Sequence, residues 1–322
     1  MPEIGGYFPT ESWLGANSAY HHTLALKSGR AALLLLLQHL KPTHAWLPRY
    51  TCGVVYHPFE TLGIPYSLYS INEQAEPIEL PAPQPGHLLL YINYNDAFRP
   101  VAEALAAEWQ QQLIIDNTQA FGWQPRLAAW SFNSARKWMG IADGAYLFAP
   151  TGQPLPDAGG LLPNTAYTNR HLELRRQGHT QEGYPFFQEN ERLCGEGLAL
   201  MSAYSHSIVQ QADVPAMLAR RKANYQQLHQ ALQPYNQWQL HSVDGDATPM
   251  YYPFLPSRPI SHEACWQQQF FVPRLWAEVQ HTPGSTAIET QWAQQLLPLP
   301  IDHRYNENDM QQLWQWLLQQ LS

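Results

Sequence analysis

The sequence predicts an α/β fold: a large domain built on a largely parallel sheet, followed by a smaller C-terminal α/β domain. Three observations carry this expectation. Short apolar runs alternate with helical patterns from residue 28 to residue 150. A Gly/Pro-rich stretch, APTGQPLPDAGGLLPN (149–164), closes that run, and longer amphipathic helical patterns come after it. At 322 residues the chain is long enough for one large core and a second, smaller one. The boundary falls at the start of the long helical pattern, which gives domains of residues 1–214 and 215–322.

Taken in order, SGRAALLLLLQHL (28–40) reads as a helix entered through Ser28 and Gly29, and HAWLP (44–48) reads as a strand. VVYHPFETLG (54–63) reads as a helix closed by Gly63, and PYSLYSI (65–71) as a strand. The strand HLLLYINY (87–94) precedes a helix RPVAEALAAEWQQQ (99–112), with Pro100 near its start. The strands LIID (113–116), LAAWSFN (127–133) and AYLFAP (145–150) complete the alternating run. In the second half, VPAMLARRKANYQQLHQAL (214–232) is a long amphipathic helix. NENDMQQLWQWLLQQL closes the chain with Met310, Leu313, Trp314, Leu317 and Leu321 on one face and Asn306 as the cap.

Composition narrows the function. Charged residues are only 14% of the chain, and 18 Lys/Arg against 26 Asp/Glu give a net charge of −8 with no basic run, which argues against a nucleic-acid partner. The three cysteines, Cys52, Cys194 and Cys265, are too far apart for a CxxC site and fit a reducing, cytoplasmic setting. The opening residues, MPEIGGYFPTESW, lack a basic and an apolar region, and AALLLLLQHL is too short to span a bilayer, so a soluble protein is expected. His21, His22, His206 and His303 have no metal-ligand spacing, and no metal is expected.

In an open α/β sheet, ligands bind outside the carboxyl ends of the strands. Three features fall there. Ser28-Gly29-Arg30 opens a helix, where free N–H groups and the helix dipole suit an anion, although the same residues also make an ordinary N-cap. Asp116 ends the LIID strand and either caps a turn or meets a cation, with Gln119 three residues on. Lys137 comes after the strand LAAWSFN and is either a solvated surface charge, the usual case for a lone lysine, or a desolvated amine that beside a cation loses its proton easily and becomes a nucleophile. Phosphate cradle, carboxylate and lysine, in that order, are what pyridoxal 5′-phosphate (PLP) requires: an anion site, a partner for the ring nitrogen, and an amine for the aldehyde.

The chain resembles the fold-type I PLP enzymes, and among them the DegT/StrS-type sugar aminotransferases. The likeness runs through IGGYF (4–8), SGRAAL (28–33), LPRYTC (47–52), FETLGIPYSLYSI (59–71), IIDNTQAFG (114–122), KWMGIADGA (137–145), RRKANYQQL (220–228) and LPIDHRY (299–305). It implies a three-layer, aspartate aminotransferase-like fold. It also implies that Lys137 forms the Schiff base, Asp116 pairs with the pyridine nitrogen and Gln119 lies near the ring hydroxyl. Ser28, Gly29, Arg30 and Ser134 would hold the phosphate. The family's ring-stacking aromatic is replaced by Cys52, with Tyr50 the nearest ring, and Ala145 stands where a second glycine is usual.

The function implied by the resemblance is that of an aminotransferase working as a homodimer, with glutamate as donor and a nucleotide-linked keto-sugar as acceptor, in polysaccharide or glycoside biosynthesis. Arg30, Arg136 and Arg304 are the candidates for the donor carboxylate, and Arg170, Arg175 and Arg176 could meet a diphosphate or form a solvated helix face. A PLP lyase or decarboxylase, an amino-acid transaminase and a non-catalytic ligand-binding homologue are the alternatives on the same scaffold. Dehydratases of the family carry histidine at the lysine position, and Lys137 argues against that branch.

Overall fold

The computed structural model describes residues 3–15, 23–123, 127–238 and 247–321. The first half contains β1 (Ile4–Gly5), β2 (Leu24–Leu26), α1 (Gly29–Leu40), β3 (His44–Pro48), α2 (His57–Thr61), β4 (Tyr66–Ile71), β5 (Pro77–Ile78), β6 (His87–Ile92), α3 (Arg99–Trp109), β7 (Leu113–Asp116), β8 (Trp130–Phe132) and β9 (Ala145–Phe148). The second half contains α4 (Arg170–Arg176), α5 (Thr180–Gly195), α6 (Ala203–Gln211), α7 (Val214–Leu232), β10 (Tyr251–Phe254), α8 (His262–Gln267), β11 (Phe270–Phe271), α9 (Ala287–Gln295), β12 (Leu297–Pro300) and α10 (Glu307–Leu321).

Eight strands form one sheet in the order β2-β9-β8-β7-β6-β3-β4-β5. Its centre is parallel, from β4 through β3, β6 and β7 to β8. Strand β9 runs antiparallel to both of its neighbours, and β5 antiparallel to β4. The central runs are continuously apolar because both faces are covered. Leu88, Leu90 and Ile114 meet the leucines of α1 on one face, whereas Leu89, Tyr91, Leu113 and Ile115 meet Leu105 and Trp109 of α3 on the other. Period-2 alternation in the strands thus sorts one sequence run into two cores, which makes the large unit three layers.

Helix α1 starts where expected. Ser28 is its N-cap, with Oγ accepting the Ala31 N–H at 3.2 Å. The stretch read as one helix over 54–63 is split into a 3₁₀ turn at Gly53–Val55 and the short α2, with Gly63 at φ +64° ending it. Strand β6 stops at Ile92, two residues short of the apolar run, because Asn95 and Asp96 both adopt φ +55° and turn the chain. Helix α7 begins at Val214, where the sequence places the domain boundary. The small C-terminal core joins α7 and α10 to the antiparallel pair β10–β12. Strand β1 pairs with β11, so the first residues pack with the C-terminal elements rather than with the large sheet. Asn306 caps α10, accepting from the Asn308 N–H at 2.8 Å.

Candidate active site

The loops that leave the carboxyl ends of β3, β7 and β8, with Ile92 at the end of β6, converge on a cavity of about 880 Å³. Its wall includes Ser28, Gly29, Arg30, Cys52, Asp116, Gln119, Ser134 and Lys137, eight of the nine residues expected there from sequence. Asp116 is the last residue of β7 and only 7% exposed. The Thr118 N–H donates to its Oδ1 at 2.7 Å. Burial pushes the Asp116 pKa up, against the opposing pull of the Thr118 side chain, the Thr118 N–H and the Lys137 charge. A cation placed against its free oxygen would therefore be strongly held. Lys137 ends a 3₁₀ turn, Ala135–Lys137; its side chain is exposed to the cavity and makes no hydrogen bond among the described residues.

The anion-binding end is built by α1. Ser28 Oγ serves Ala31 and donates to the Cys194 carbonyl at 2.8 Å, while the N–H groups of Gly29 and Arg30 find no acceptor among the described residues. Phe132 packs so close to Gly29 that a Cβ there would press on its ring, which keeps the helix start open. Arg30 and Arg136 bring positive charge to this end, and both engage Glu191 of α5. Arg136 makes a bidentate pair with the Glu191 carboxylate, and Arg30 Nη2 donates to its carbonyl at 3.0 Å. Although burial pushes the Glu191 pKa up, Arg136 outweighs this and lowers it.

Tyr50 is the exception. It is not on the cavity wall: its ring is 2% exposed and packs edge-on against Trp276, at 4.8 Å between centroids, and Trp292, at 5.3 Å. An aromatic cluster beneath the loop buries this ring more completely than a cavity wall could, so the chain leaves β3 with Tyr50 inward and Thr51 and Cys52 toward the cavity. The expectation that Tyr50 contacts the ligand is corrected accordingly. Asp143 is not on the wall either. Fully buried, it accepts from Ser202 N–H, Ser202 Oγ and Asn164 Nδ2 at 2.6–3.0 Å and ties the loop after Lys137 to the start of α6.

Arg304 is committed elsewhere in the wall. It donates to both oxygens of Asp302 and to the carbonyls of Gly6 and Tyr7; although burial pushes the Asp302 pKa up, the charge and hydrogen bonds of Arg304, together with the Arg221 charge, hold it at about 2. Arg175 pairs with Glu3 at 2.9 Å, whereas Arg170 is half exposed on α4, pairs with Glu173 and is absent from the wall. Of the three arginines expected as one cluster, Arg175 and Arg176 line a second, smaller cavity together, and Arg170 stands apart from them. Sequence reasoning passed over Arg221, which is 2% exposed, lies over the Trp138 ring at 4.3 Å and donates to the carbonyls of Met250 and Trp138. Burial lowers its pKa to about 10. No periodicity marks it, because it reads as the middle of a run of three basic residues, Arg220, Arg221 and Lys222, on a long amphipathic helix.

Among the described residues no group of three His, Cys, Asp or Glu could hold a metal, and no helix is long and apolar enough to cross a membrane. His21 and His22 lie outside the described residues.

No family model and no curated protein matches the sequence. Solved structures do match the fold. The sugar aminotransferase CalS13 from Micromonospora echinospora is 13% identical, with 92% of this chain covered, 86% of that one and a TM-score of 0.57. A DegT DnrJ EryC1 StrS aminotransferase from Brucella abortus is 11% identical, with 92% and 84% covered and a TM-score of 0.58. Spr1654 from Streptococcus pneumoniae in its PLP form is 11% identical, with 91% and 85% covered and a TM-score of 0.57. The chain therefore has the fold of these proteins over nearly its whole length.

Proposed function

We propose that the protein is a PLP-dependent aminotransferase. The observation that carries this reading is the convergence, on one cavity, of the open N-terminus of α1, the buried Asp116 carboxylate and the unbonded Lys137 amine. These residues fit the cofactor: an anion meets free N–H groups and arginines, a ring N–H meets a carboxylate with an acceptor oxygen to spare, and an aldehyde meets an amine. When bound, PLP supplies the carbonyl carbon that receives an amino group and the ring that draws electrons from the donor's α-carbon. Gly29 and Arg30 bind the phosphate through N–H groups, with Ser134 beside them, and Asp116 holds the proton on the ring nitrogen. Lys137 would hold the aldehyde carbon through its amine, with water as the leaving group, and the freed amine would move the proton between the donor α-carbon and the former aldehyde carbon. The likeness to solved aminotransferases of the same fold supports this assignment.

The donor we propose is glutamate and the acceptor a nucleotide-linked keto-sugar, in polysaccharide or glycoside biosynthesis. A cavity of about 880 Å³ walled by Tyr7, Phe8, Tyr184, Phe187, Trp266 and Phe271 suits a bulky neutral ring better than a small keto acid. Arg175, on the same wall, is the arginine we propose for a diphosphate, which would have to compete with Glu3 for it. In the test, the pyridoxamine form is offered nucleotide keto-sugars beside simple keto acids, and return of the PLP absorbance is followed. Recovery with the sugars is expected. Recovery with keto acids alone would replace the sugar reading with an amino-acid transaminase.

We further propose a homodimer. Val54, Tyr184 and Trp266 are 41–51% exposed while also belonging to the cavity wall, and a second copy seated there would cover them. Light scattering at micromolar concentration should give twice the chain mass, and a monomer would contradict the proposal. The three cysteines are free, which suits the cytoplasm.

A further inference from the structure

The carboxamide of Gln119 has two ends, and the structure fixes which one faces the cavity. Its Oε1 accepts from the backbone N–H of Asn95 at 2.9 Å and from the hydroxyl of Tyr251 at 3.2 Å. A backbone N–H can only donate, so the group that meets it must be the oxygen. Gln119 lines the cavity, and both hydrogen bonds of its carboxamide among the described residues end on Oε1, which leaves Nε2 as the donor to spare.

Both anchors are themselves tightly built. Asn95 sits at φ +55°, a conformation that only a residue with strong local bonding holds at little cost. Its side chain supplies that bonding: Oδ1 accepts from the N–H groups of Met250 at 2.8 Å and Tyr251 at 3.0 Å, and Nδ2 donates to the Tyr251 carbonyl at 2.9 Å. The turn after β6 is thereby clamped to the first residue of β10. Asp96, beside Asn95, is occupied by Arg99 and the Thr248 N–H. Burial keeps the Tyr251 hydroxyl protonated, hence a donor, at any ordinary pH.

We infer that Asn95 and Tyr251 are positioning residues, which lock Gln119 as a fixed N–H donor toward the ring oxygen of the bound cofactor. The inference rests on the proposed PLP function and adds to it a dependence of the cofactor on a strand of the C-terminal half. The physical consequence is specific. With the cofactor bound, a proton on the nitrogen joining it to Lys137 would be shared with the neighbouring ring oxygen. A donor outside the ring competes for that oxygen, favours the unprotonated form and lowers the pH at which the bound cofactor's absorbance switches. Asp116 and Lys137, the charged groups that face the ring from β7 and from the turn after β8, are untouched by substitutions at Gln119, Tyr251 or Asn95.

The experiment is a pH titration of the absorbance of PLP-loaded protein. Tyr251→Phe should raise the switching pH by about half a unit, and Gln119→Ala by about one unit or more. In the Gln119→Ala background, Tyr251→Phe should add nothing, because it acts only through the amide. Asn95→Gly is a second route, since glycine tolerates the positive φ but releases Tyr251, and it should move the switch in the same direction. A switching pH unmoved by Tyr251→Phe and by Asn95→Gly overturns the inference, as does a Tyr251→Phe shift of equal size with and without Gln119. Wild-type protein that takes up no PLP would instead overturn the reading of the site, and the inference with it.

Discussion

Lys137→Ala is expected to lower turnover about ten-thousandfold or more, the upper range of what a positioned acid–base group contributes. The same residue would be lost as the cofactor's covalent anchor. Its side chain is exposed to the cavity and makes no hydrogen bond among the described residues, so truncation opens no gap in the core; it removes the positive charge beside the buried Asp116 carboxylate, and a melting curve should still show a cooperatively folded protein. The fall in rate would therefore report chemistry rather than unfolding. Borohydride reduction of the PLP-loaded wild type, followed by peptide mass spectrometry, should find a pyridoxyl group on Lys137 and none on Lys137→Ala. The nearest competitor is Lys27, but its amine is buried and donates to the carbonyls of Leu193 and Glu196. An adduct at Lys27, or full turnover in Lys137→Ala, would remove Lys137 from the mechanism.

How far the site could be read in advance depended on what kind of physics placed each residue. Ser28, Asp116 and Lys137 were legible because each arises from a local pattern: a cap before an apolar helix, an acid ending an apolar strand, or a lysine in the turn that follows one. Helices α1 and α7 were legible for the same reason. Helix α5 was not. It contains Pro185, and the residues it buries, Gly183, Asn190 and Cys194, make no apolar stripe, so periodicity had nothing to detect. Its contribution of Glu191 to the arginines of the cavity went unseen with it. The antiparallel direction of β9 was hidden because an apolar run carries no sense of direction. Tyr50 shows the limit from the other side: the residue type was right for stacking, but a non-local cluster with Trp276 and Trp292, more than 200 residues away, decided where it went. The bond from Tyr251 to Gln119 is of the same kind, spanning 132 residues between two unremarkable stretches of sequence.

Asp116→Asn is the second large effect expected. Asparagine is nearly isosteric and can keep an oxygen where Oδ1 accepts the Thr118 N–H, so the turn after β7 should survive. The other position becomes an NH₂ group, which donates and cannot accept a ring N–H. The carboxylate also resists protonation poorly in its present surroundings, since burial raises its pKa and only the Thr118 side chain, the Thr118 N–H and the Lys137 charge oppose this. A protonated cofactor ring at that oxygen would lower the pKa again, and the two charges would stabilise each other in a site shielded from water. With asparagine the ring nitrogen loses its proton and the ring draws electrons from the donor carbon far less strongly. The donor half-reaction should slow by at least about a hundredfold, or about 2.7 kcal/mol, while PLP binding through Gly29, Arg30 and Lys137 stays within about tenfold of wild type. Single-turnover absorbance measurements with glutamate separate the two quantities. A half-reaction within about threefold of the wild-type rate would mean that Asp116 caps its turn and does nothing more.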